Sequence, residues 1–348
     1  MEINDRLFEK LDSILSVFPF HSIDVEFKRL DYALYKDGNI YKKGYSEPFF
    51  SSYDRPKMYK NTVIVSLEQE TIEEIAVDLL SNMYETFLTT KYKMIIPNYL
   101  NIVESKHNFL QVNYYLYEIK ILKQADRAKD LNVKKAFLRL FVNIRHQRSE
   151  MNNGFTLDEM KAEHINGLIA YAYVSILRVI YGKKSIRVKE YLVKLNNRFD
   201  NFFNIMNGSY LTGLYLKTIL VDLGYIVPPH TLLYNVCVAY IEYVSEIITL
   251  PKNNKAIKLI QNREMQSKEI LNDFFLLDPK KVKFNGVIKT FDPASVLKFE
   301  NRYYFNNFVV LEDLSGLSTY ITGPVVVSTE KNNVVSYYRT TDIDWYIR

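Results

Sequence analysis

The sequence predicts a mainly helical α+β protein with a small sheet near its N-terminus and a β-rich module at its C-terminus. Between about residues 70 and 275, apolar residues recur every three or four positions, the spacing of helices that bury one face. From Asp278 the period changes to two, which is typical of strands. We therefore predict a helical domain over residues 1–276 and a β module over residues 277–348, with a hairpin and sheet at about residues 20–67.

The N-terminal part predicts one helix followed by β structure. Asp5–Val17 carries Leu7, Leu11, Ile14 and Leu15 on one helical face. Residues 24–30 alternate in polarity and predict β structure. The Asp37-Gly38 pair between two apolar runs favours a two-residue hairpin turn. Residues 61–67 predict a further strand, directly before the first long helix.

The remaining elements follow from the two periodicities and from the glycines, prolines and asparagines between them. Helices are predicted at residues 71–89, 104–129, 131–149, 157–181, 185–206, 209–223, 230–248 and 256–275. Strands are predicted at residues 282–290, 296–299, 303–311, 320–321, 325–328 and 334–338, with a docked final segment around Trp345.

Composition indicates a folded protein, with 48% hydrophobic and 24% charged residues. No stretch approaches the roughly 18 uncharged apolar residues that cross a bilayer, and the first residues lack the pattern of a signal peptide. The single cysteine, Cys237, lies in an apolar helical run and is expected to be a buried structural thiol. We therefore expect a cytoplasmic protein without a membrane partner.

The positive charge is concentrated in residues 251–290. This segment holds nine lysines and arginines against four acids, and the difference of five equals the net charge of the whole chain. Such a patch could meet phosphates or an acidic partner. Because no nucleic-acid-binding signature accompanies it, we interpret it as a solvated basic linker between two modules and do not expect a nucleic-acid partner.

One helix carries a degenerate active-site motif. Residues 75–88 read Ile-Ala-Val-Asp-Leu-Leu-Ser-Asn-Met-Tyr-Glu-Thr-Phe-Leu, in which Ser81, Asn82 and Glu85 occupy the positions of a His-Glu-x-x-His zinc motif. A second segment, Asn166-Gly167-Leu168-Ile169-Ala170-Tyr171, lies where a glutamate ligand would follow. The chain thereby resembles zincin-like bacterial proteins related to metallopeptidases of the glutamate-ligand type, with the zinc motif lost.

The resemblance implies a zincin-like main domain and a remnant cleft. It also implies that Glu85 and Asn166 approach one another beneath the strand at 61–67. A serine, two amides and one carboxylate cannot replace two imidazoles, a third ligand and a general base, so we expect neither bound metal nor cofactor. The leading hypothesis is a catalytically inactive protein that binds a peptide or protein partner through a cleft lined by Ser81, Asn82, Glu85 and Asn166.

Alternatives stay open at this point. The spacing of apolar residues in 72–88 is also that of any helix burying one face, and a structural or interaction protein unrelated to zincins fits it. A hydrolase could instead use Glu85, Glu163, His164 and Tyr171. Glu85, Glu163 and His164 could also form a displaced, oxygen-rich metal site, although ordinary polar positions on helices are the favoured interpretation.

Overall fold

A computed structural model describes residues 3, 5–49, 58–59, 62–68, 71–91, 95–151, 153–198, 205–228, 231–241, 247–330, 333–340 and 344–347. Within these residues the fold is α+β, as predicted. The helices are α1 Asp5–Val17, α2 Ile72–Lys91, α3 Tyr99–Ser105, α4 Phe109–Arg127, α5 Leu131–Met151, α6 Asn153–Tyr181, α7 Ile186–Arg198, α8 Ile205–Asp222, α9 Leu233–Tyr240 and α10 Asn254–Leu276. The strands are β1 Tyr32–Lys36, β2 Asn39–Lys42, β3 Tyr45–Pro48, β4 Met58–Tyr59, β5 Thr62–Ser66, β6 Lys280–Phe291, β7 Val296–Phe299, β8 Arg302–Phe305, β9 Phe308–Asp313, β10 Ser318–Thr322, β11 Val325–Glu330, β12 Asn333–Arg339 and β13 Asp344–Ile347.

The N-terminal sheet has the order β3-β2-β1-β5-β4, and β1 runs parallel to β5. Asp37 and Gly38 have φ values of 49° and 76°, and positive φ at both central residues defines the predicted hairpin turn. The prediction of β structure at residues 24–30 is wrong. Asp24 accepts a hydrogen bond from the Glu26 amide at 3.0 Å and turns the chain there, so that the Phe27 ring enters the core.

The helical domain is organised around α6, which packs against α2, α5, α8 and α9. The closest approach is between α6 and α8, where Gly167 faces Gly213. A side-chain carbon on either glycine would overlap the backbone of the other helix. The two glycines therefore allow the backbones to touch. This crossing fixes which face of α6 turns toward α8 and which turns toward α2.

The C-terminal module is an antiparallel sheet of the order β13-β10-β9-β6-β12-β11-β8-β7. One face packs on Ile102 and Val103 of α3. The other face receives α10, whose Phe274 packs with Val326 of β11. The Tyr303 hydroxyl and the Lys298 ammonium both contact the Glu104 carboxylate of α3, which ties the module to the helices.

Three further predictions need correction. Residues 104–129 are not one helix: α3 ends at Ser105, and Asn108 caps the start of α4 by accepting a hydrogen bond from the Gln111 amide. Residues 303–311 form two strands, β8 and β9, separated by Asn306 and Asn307. The basic segment 251–290 is not a linker, since most of it forms α10 and β6.

A fourth difference is the helix predicted at residues 230–248, which ends at Tyr240 because Ile241 is extended. Other boundaries agree with prediction to within a few residues, with β3 and β4 added to the predicted strands. Residue 61 and parts of the predicted helices at 185–206 and 230–248 lie outside the described residues. In the part of the chain that is described, no helix is both long and apolar enough to cross a membrane.

Candidate functional site

A groove runs between α2 and α6 and contains two adjoining cavities. Both cavities are lined by Glu85 of α2 and Ile169 of α6. The groove therefore includes one of the carboxylates that the sequence singled out. It lies on the face of α6 that points away from the Gly167–Gly213 crossing, since Gly167 is two residues from Ile169 and so about 200° around the helix.

The first cavity, here called the aliphatic cavity, has a volume of about 310 Å³. Its walls are mostly apolar, and its polar side chains are Glu85, Thr89 and His164. Ile96 stands at this cavity and is 75% exposed, which leaves apolar surface open to solvent. The apolar lining is Leu88, Ile95, Ile96, Ile165, Leu168 and Ile169.

The second cavity, here called the tyrosine cavity, has a volume of about 220 Å³. Four tyrosines from four different helices line it. They are Tyr84 of α2, Tyr173 of α6, Tyr191 of α7 and Tyr210 of α8. Ser81, Glu85, Ile169, Ala172 and Leu195 complete the lining.

The residues at the motif positions of α2 divide between the groove and the core. Ser81 lines the tyrosine cavity, and its hydroxyl donates to the Val77 carbonyl at 2.7 Å. Asn82 turns toward the N-terminal sheet, where its amide nitrogen donates to the Ile64 carbonyl of β5 at 2.9 Å. Asn82 therefore joins α2 to the sheet, while Ser81 and Glu85 face the groove.

Glu163 lies on the opposite face of α6 and is buried in an ionic network. Its two carboxylate oxygens accept from the Arg145 guanidinium at 2.8 and 2.9 Å, and the Thr212 hydroxyl donates to one of them at 2.9 Å. Glu118 accepts from Arg145 at 2.8 Å and from Arg148 at 2.8 and 3.1 Å. Bidentate pairing of this kind satisfies the buried charges on both sides.

The network extends toward α3 through Glu159. Arg148 forms an ion pair with Glu159 at 2.5 Å, and the Ser105 hydroxyl donates to the same carboxylate at 2.8 Å. Burial alone would raise the pKa of Glu159, but Arg148 and Lys106 outweigh it and hold that pKa at about 2. Burial lowers the pKa of Lys106 to about 8, against the opposing effect of Glu159.

Asn166 and Tyr171 of the second motif segment pack against α8. Asn166 is buried, and its amide nitrogen donates to the Ser209 hydroxyl of α8 at 2.7 Å. The Tyr171 ring lies beneath the Lys217 ammonium of α8, 5.5 Å from the ring centre. The expectation that Asn166 lines one cleft with Ser81 and Glu85 is therefore wrong, because Asn166 lies on the α8 side of α6.

His164 is the accessory residue that the groove does include, since it lines the aliphatic cavity with Glu85. Glu163 is one position away and points into the network instead. The three residues Glu85, Glu163 and His164 are thus not brought together around one point. Among the described residues, no group of three or more histidine, cysteine, aspartate or glutamate side chains is placed to hold a metal ion.

A larger cleft of about 810 Å³ lies between α4, α5 and residues 247–252. Its lining contains Phe109, Leu110 and Met151, and none of the residues singled out from the sequence. In the chain, its lining residue Ile247 directly follows residues 242–246, which are outside the described residues. We assign no site to this cleft.

Sequence reasoning missed two groups of residues. The first is the buried network. The arginines of residues 137–148 are visible in the sequence, but their acidic partners Glu118 and Glu159 lie on other helices, so the pairs cannot be recognised from spacing. The second is the set of four tyrosines around the tyrosine cavity. These tyrosines have the sequence spacing of ordinary core residues. Nothing in the sequence indicates that they lie together, because they belong to four different helices and meet only in the folded chain.

Comparisons of the chain with protein-family models, with curated proteins and with solved structures give no match.

Proposed function

We propose that the protein binds a peptide segment of a partner through the groove between α2 and α6, without catalysing a reaction on it. The aliphatic cavity carries this proposal. Ligand pockets are concave and mostly apolar, with a few polar groups that fix orientation, and the cavity of about 310 Å³ is at the small end of their size range. It fits one large apolar side chain rather than a whole cofactor.

The surroundings of the aliphatic cavity favour a peptide as the occupant. Ile96 offers apolar surface outside the cavity that a backbone passing over it would cover. Glu85 supplies a negative charge in the wall, which complements a basic residue next to the anchoring side chain. We therefore propose an anchor of the leucine, isoleucine or phenylalanine type with a lysine or arginine nearby in the peptide.

A degenerate metallopeptidase origin is part of the proposal and would account for a groove beside α2. Its support is that Ser81 and Glu85, at two of the motif positions, line the groove. The hydrolase alternative has less support, because both oxygens of Glu163 are engaged by Arg145. A cytoplasmic partner is proposed from the composition and the single cysteine alone.

The test uses a pair of neighbouring threonines on α2, both exposed. Thr89 lines the aliphatic cavity, whereas Thr90 does not. Peptides selected from a random phage library on the full chain are measured against the wild type, Thr89→Trp and Thr90→Trp by fluorescence anisotropy. Burial of one leucine-sized side chain is worth roughly 1.5–3 kcal/mol, so Thr89→Trp should weaken binding by about 10- to 100-fold.

Thr90→Trp adds the same indole one residue away and should leave the affinity within about twofold of the wild type, since surface changes away from a site have small effects. Equal affinities for the two variants, or a library that yields no peptide sharing an apolar anchor, would overturn the proposal.

A further inference from the structure

The tyrosine cavity has the composition of a cation site. Four of its nine lining residues are tyrosines, from α2, α6, α7 and α8, and its volume is about 220 Å³. The rings of Tyr173 and Tyr191 are in contact, 4.5 Å apart between centres and inclined at 45°, so they form one aromatic side of the cavity. Such a cavity is smaller than typical pockets for drug-sized molecules and accepts a compact group.

The aromatic walls are held in place by packing. Tyr84 is buried, and its ring meets the edge of Phe27 at 5.1 Å between centres. Tyr173 is held between α6 and α7 by its contact with Tyr191. Walls fixed in advance lose little entropy when a ligand enters.

The charges around the cavity favour a positive occupant. Glu85 lies in the wall. Asp78 lies seven residues, or about two turns, before Glu85 on α2. Burial raises the pKa of the Tyr173 phenol, and the negative charge of Asp78 raises it further. Arg187 is a cation that also acts on Tyr173, and it pairs with Glu74 at 2.8 Å. The negative faces of aromatic rings attract cations in the same sense as these carboxylates.

We propose that the tyrosine cavity binds a methylated ammonium group, with Glu85 as the counter-charge. The preference for a methylated group follows from the three aliphatic side chains of the lining, Ile169, Ala172 and Leu195. These side chains contact methyl groups favourably but cannot accept hydrogen bonds, so the N–H donors of an unmethylated ammonium would be left partly unsatisfied there. Aromatic cages recognise quaternary ammonium ligands by this combination of rings and charge.

The same chemistry can come from a free small molecule such as choline or from a trimethylated lysine of a protein. The inference rests on the proposed function only in taking the α2–α6 groove as a ligand site. It concerns the tyrosine cavity, whereas the peptide anchor concerns the aliphatic cavity, so each can fail without the other.

The first measurement is calorimetric titration of the full chain with choline and with its neutral carbon analogue, in which a tert-butyl group replaces the trimethylammonium group. The two ligands have the same shape and differ in charge. Cation–π attraction in a partly desolvated site is worth roughly 1–2 kcal/mol, so choline should bind about tenfold more tightly. Equal binding of the two, or no binding of choline, would overturn the proposal without any variant being needed.

A pair of variants then locates the site. Tyr173→Phe keeps the ring and should retain choline binding within about twofold, whereas Tyr173→Leu removes the ring and should weaken it about tenfold. Thermal unfolding of both variants confirms that they fold. Unchanged binding in a folded Tyr173→Leu variant would also overturn the proposal.

Two further titrations distinguish the sources of the ligand. A peptide carrying trimethyl-lysine is compared with the same peptide carrying lysine, each against wild type and Thr89→Trp. Tighter binding of the trimethylated peptide than of choline, weakened by Thr89→Trp, identifies a protein side chain as the source. Choline binding at least as tight as the peptide, and unaffected by Thr89→Trp, identifies a free small molecule as the source and leaves the peptide proposal to its own test.

Discussion

The two faces of α6 differ in what they do with polar side chains. The face toward α5 and α8 carries Glu163 and Asn166, whose polar atoms bond Arg145, Thr212 and Ser209 in a buried interior. The face toward α2 carries Ile165 and Ile169 along a groove that reaches solvent. A helix can therefore hold its charged residues inside and its apolar residues at an open surface, when the charges have partners and the apolar groups line a binding site.

The difference between the faces predicts where substitutions damage stability. Residues of the network face should be needed for folding, and residues of the groove face should be needed for binding.

The largest effect is expected for Glu118→Gln. This carboxylate bonds both Arg145 and Arg148, so the variant leaves two buried guanidinium groups short of negative charge. Breaking a buried pair costs roughly 3–5 kcal/mol of the free energy of unfolding, measured by urea titration. Glu150→Gln on α5 is the control, because the Glu150 side chain is 68% exposed and pairs only at the surface with His146. If Glu118→Gln lowers the free energy of unfolding no more than Glu150→Gln does, the distinction between the two faces of α6 is wrong.

A somewhat smaller effect is expected from acid. The pKa of Glu159 is about 2 in the folded chain against an ordinary value of 4.5. A lowered pKa contributes stability that is complete above pH 4.5 and is lost as the pH falls from there toward 2, by about 3 kcal/mol in all. Urea titrations at several pH values in this range should show that the free energy of unfolding falls less with acid in Glu159→Gln than in the wild type. An equal fall in both proteins would mean that Glu159 is not held as a buried carboxylate.

The crossing of α6 and α8 gives the next effect. Gly167→Ala places a methyl group against the Gly213 backbone and should cost about 1–3 kcal/mol of unfolding free energy through overpacking. Gly154→Ala, on the same helix with no atom within 4 Å of the new carbon, should be neutral or stabilising by up to about 1 kcal/mol. The two alanine variants are compared by thermal unfolding, and a neutral Gly167→Ala would show that the backbones are not in contact there.

The fold was largely predictable where local chemistry decides it. The Asp37-Gly38 turn and the helix Asp5–Val17 depend on residues close in sequence, and both were predicted at the observed positions. The division between β8 and β9 was missed because Asn306-Asn307 replaces the usual glycine or proline signal. Residues 24–30 alternate like a strand but turn at Asp24.

The site was predictable only in part, because the direction in which a side chain points depends on the partners of its helix. Ser81 and Glu85 were placed in a groove, where they lie. Asn166 was expected in the same groove, but the face of α6 that carries Asn166 and Glu163 is turned to α8 and α5. The orientation follows from Gly167 and Gly213, which lie 46 positions apart and show no relation in sequence.

The most direct test of the difference between the two faces compares two cysteine variants. Ser81→Cys puts a thiol in the groove, and Ser209→Cys puts one beside Asn166 in the interior. The native Cys237 is fully buried, and burial raises the pKa of its thiol, so the wild type should give little background with a thiol reagent. The structure predicts that Ser81→Cys reacts in the folded protein and that Ser209→Cys reacts only as fast as the protein opens. Equal reaction rates for the two thiols, or protection of the thiol at position 81, would contradict the account.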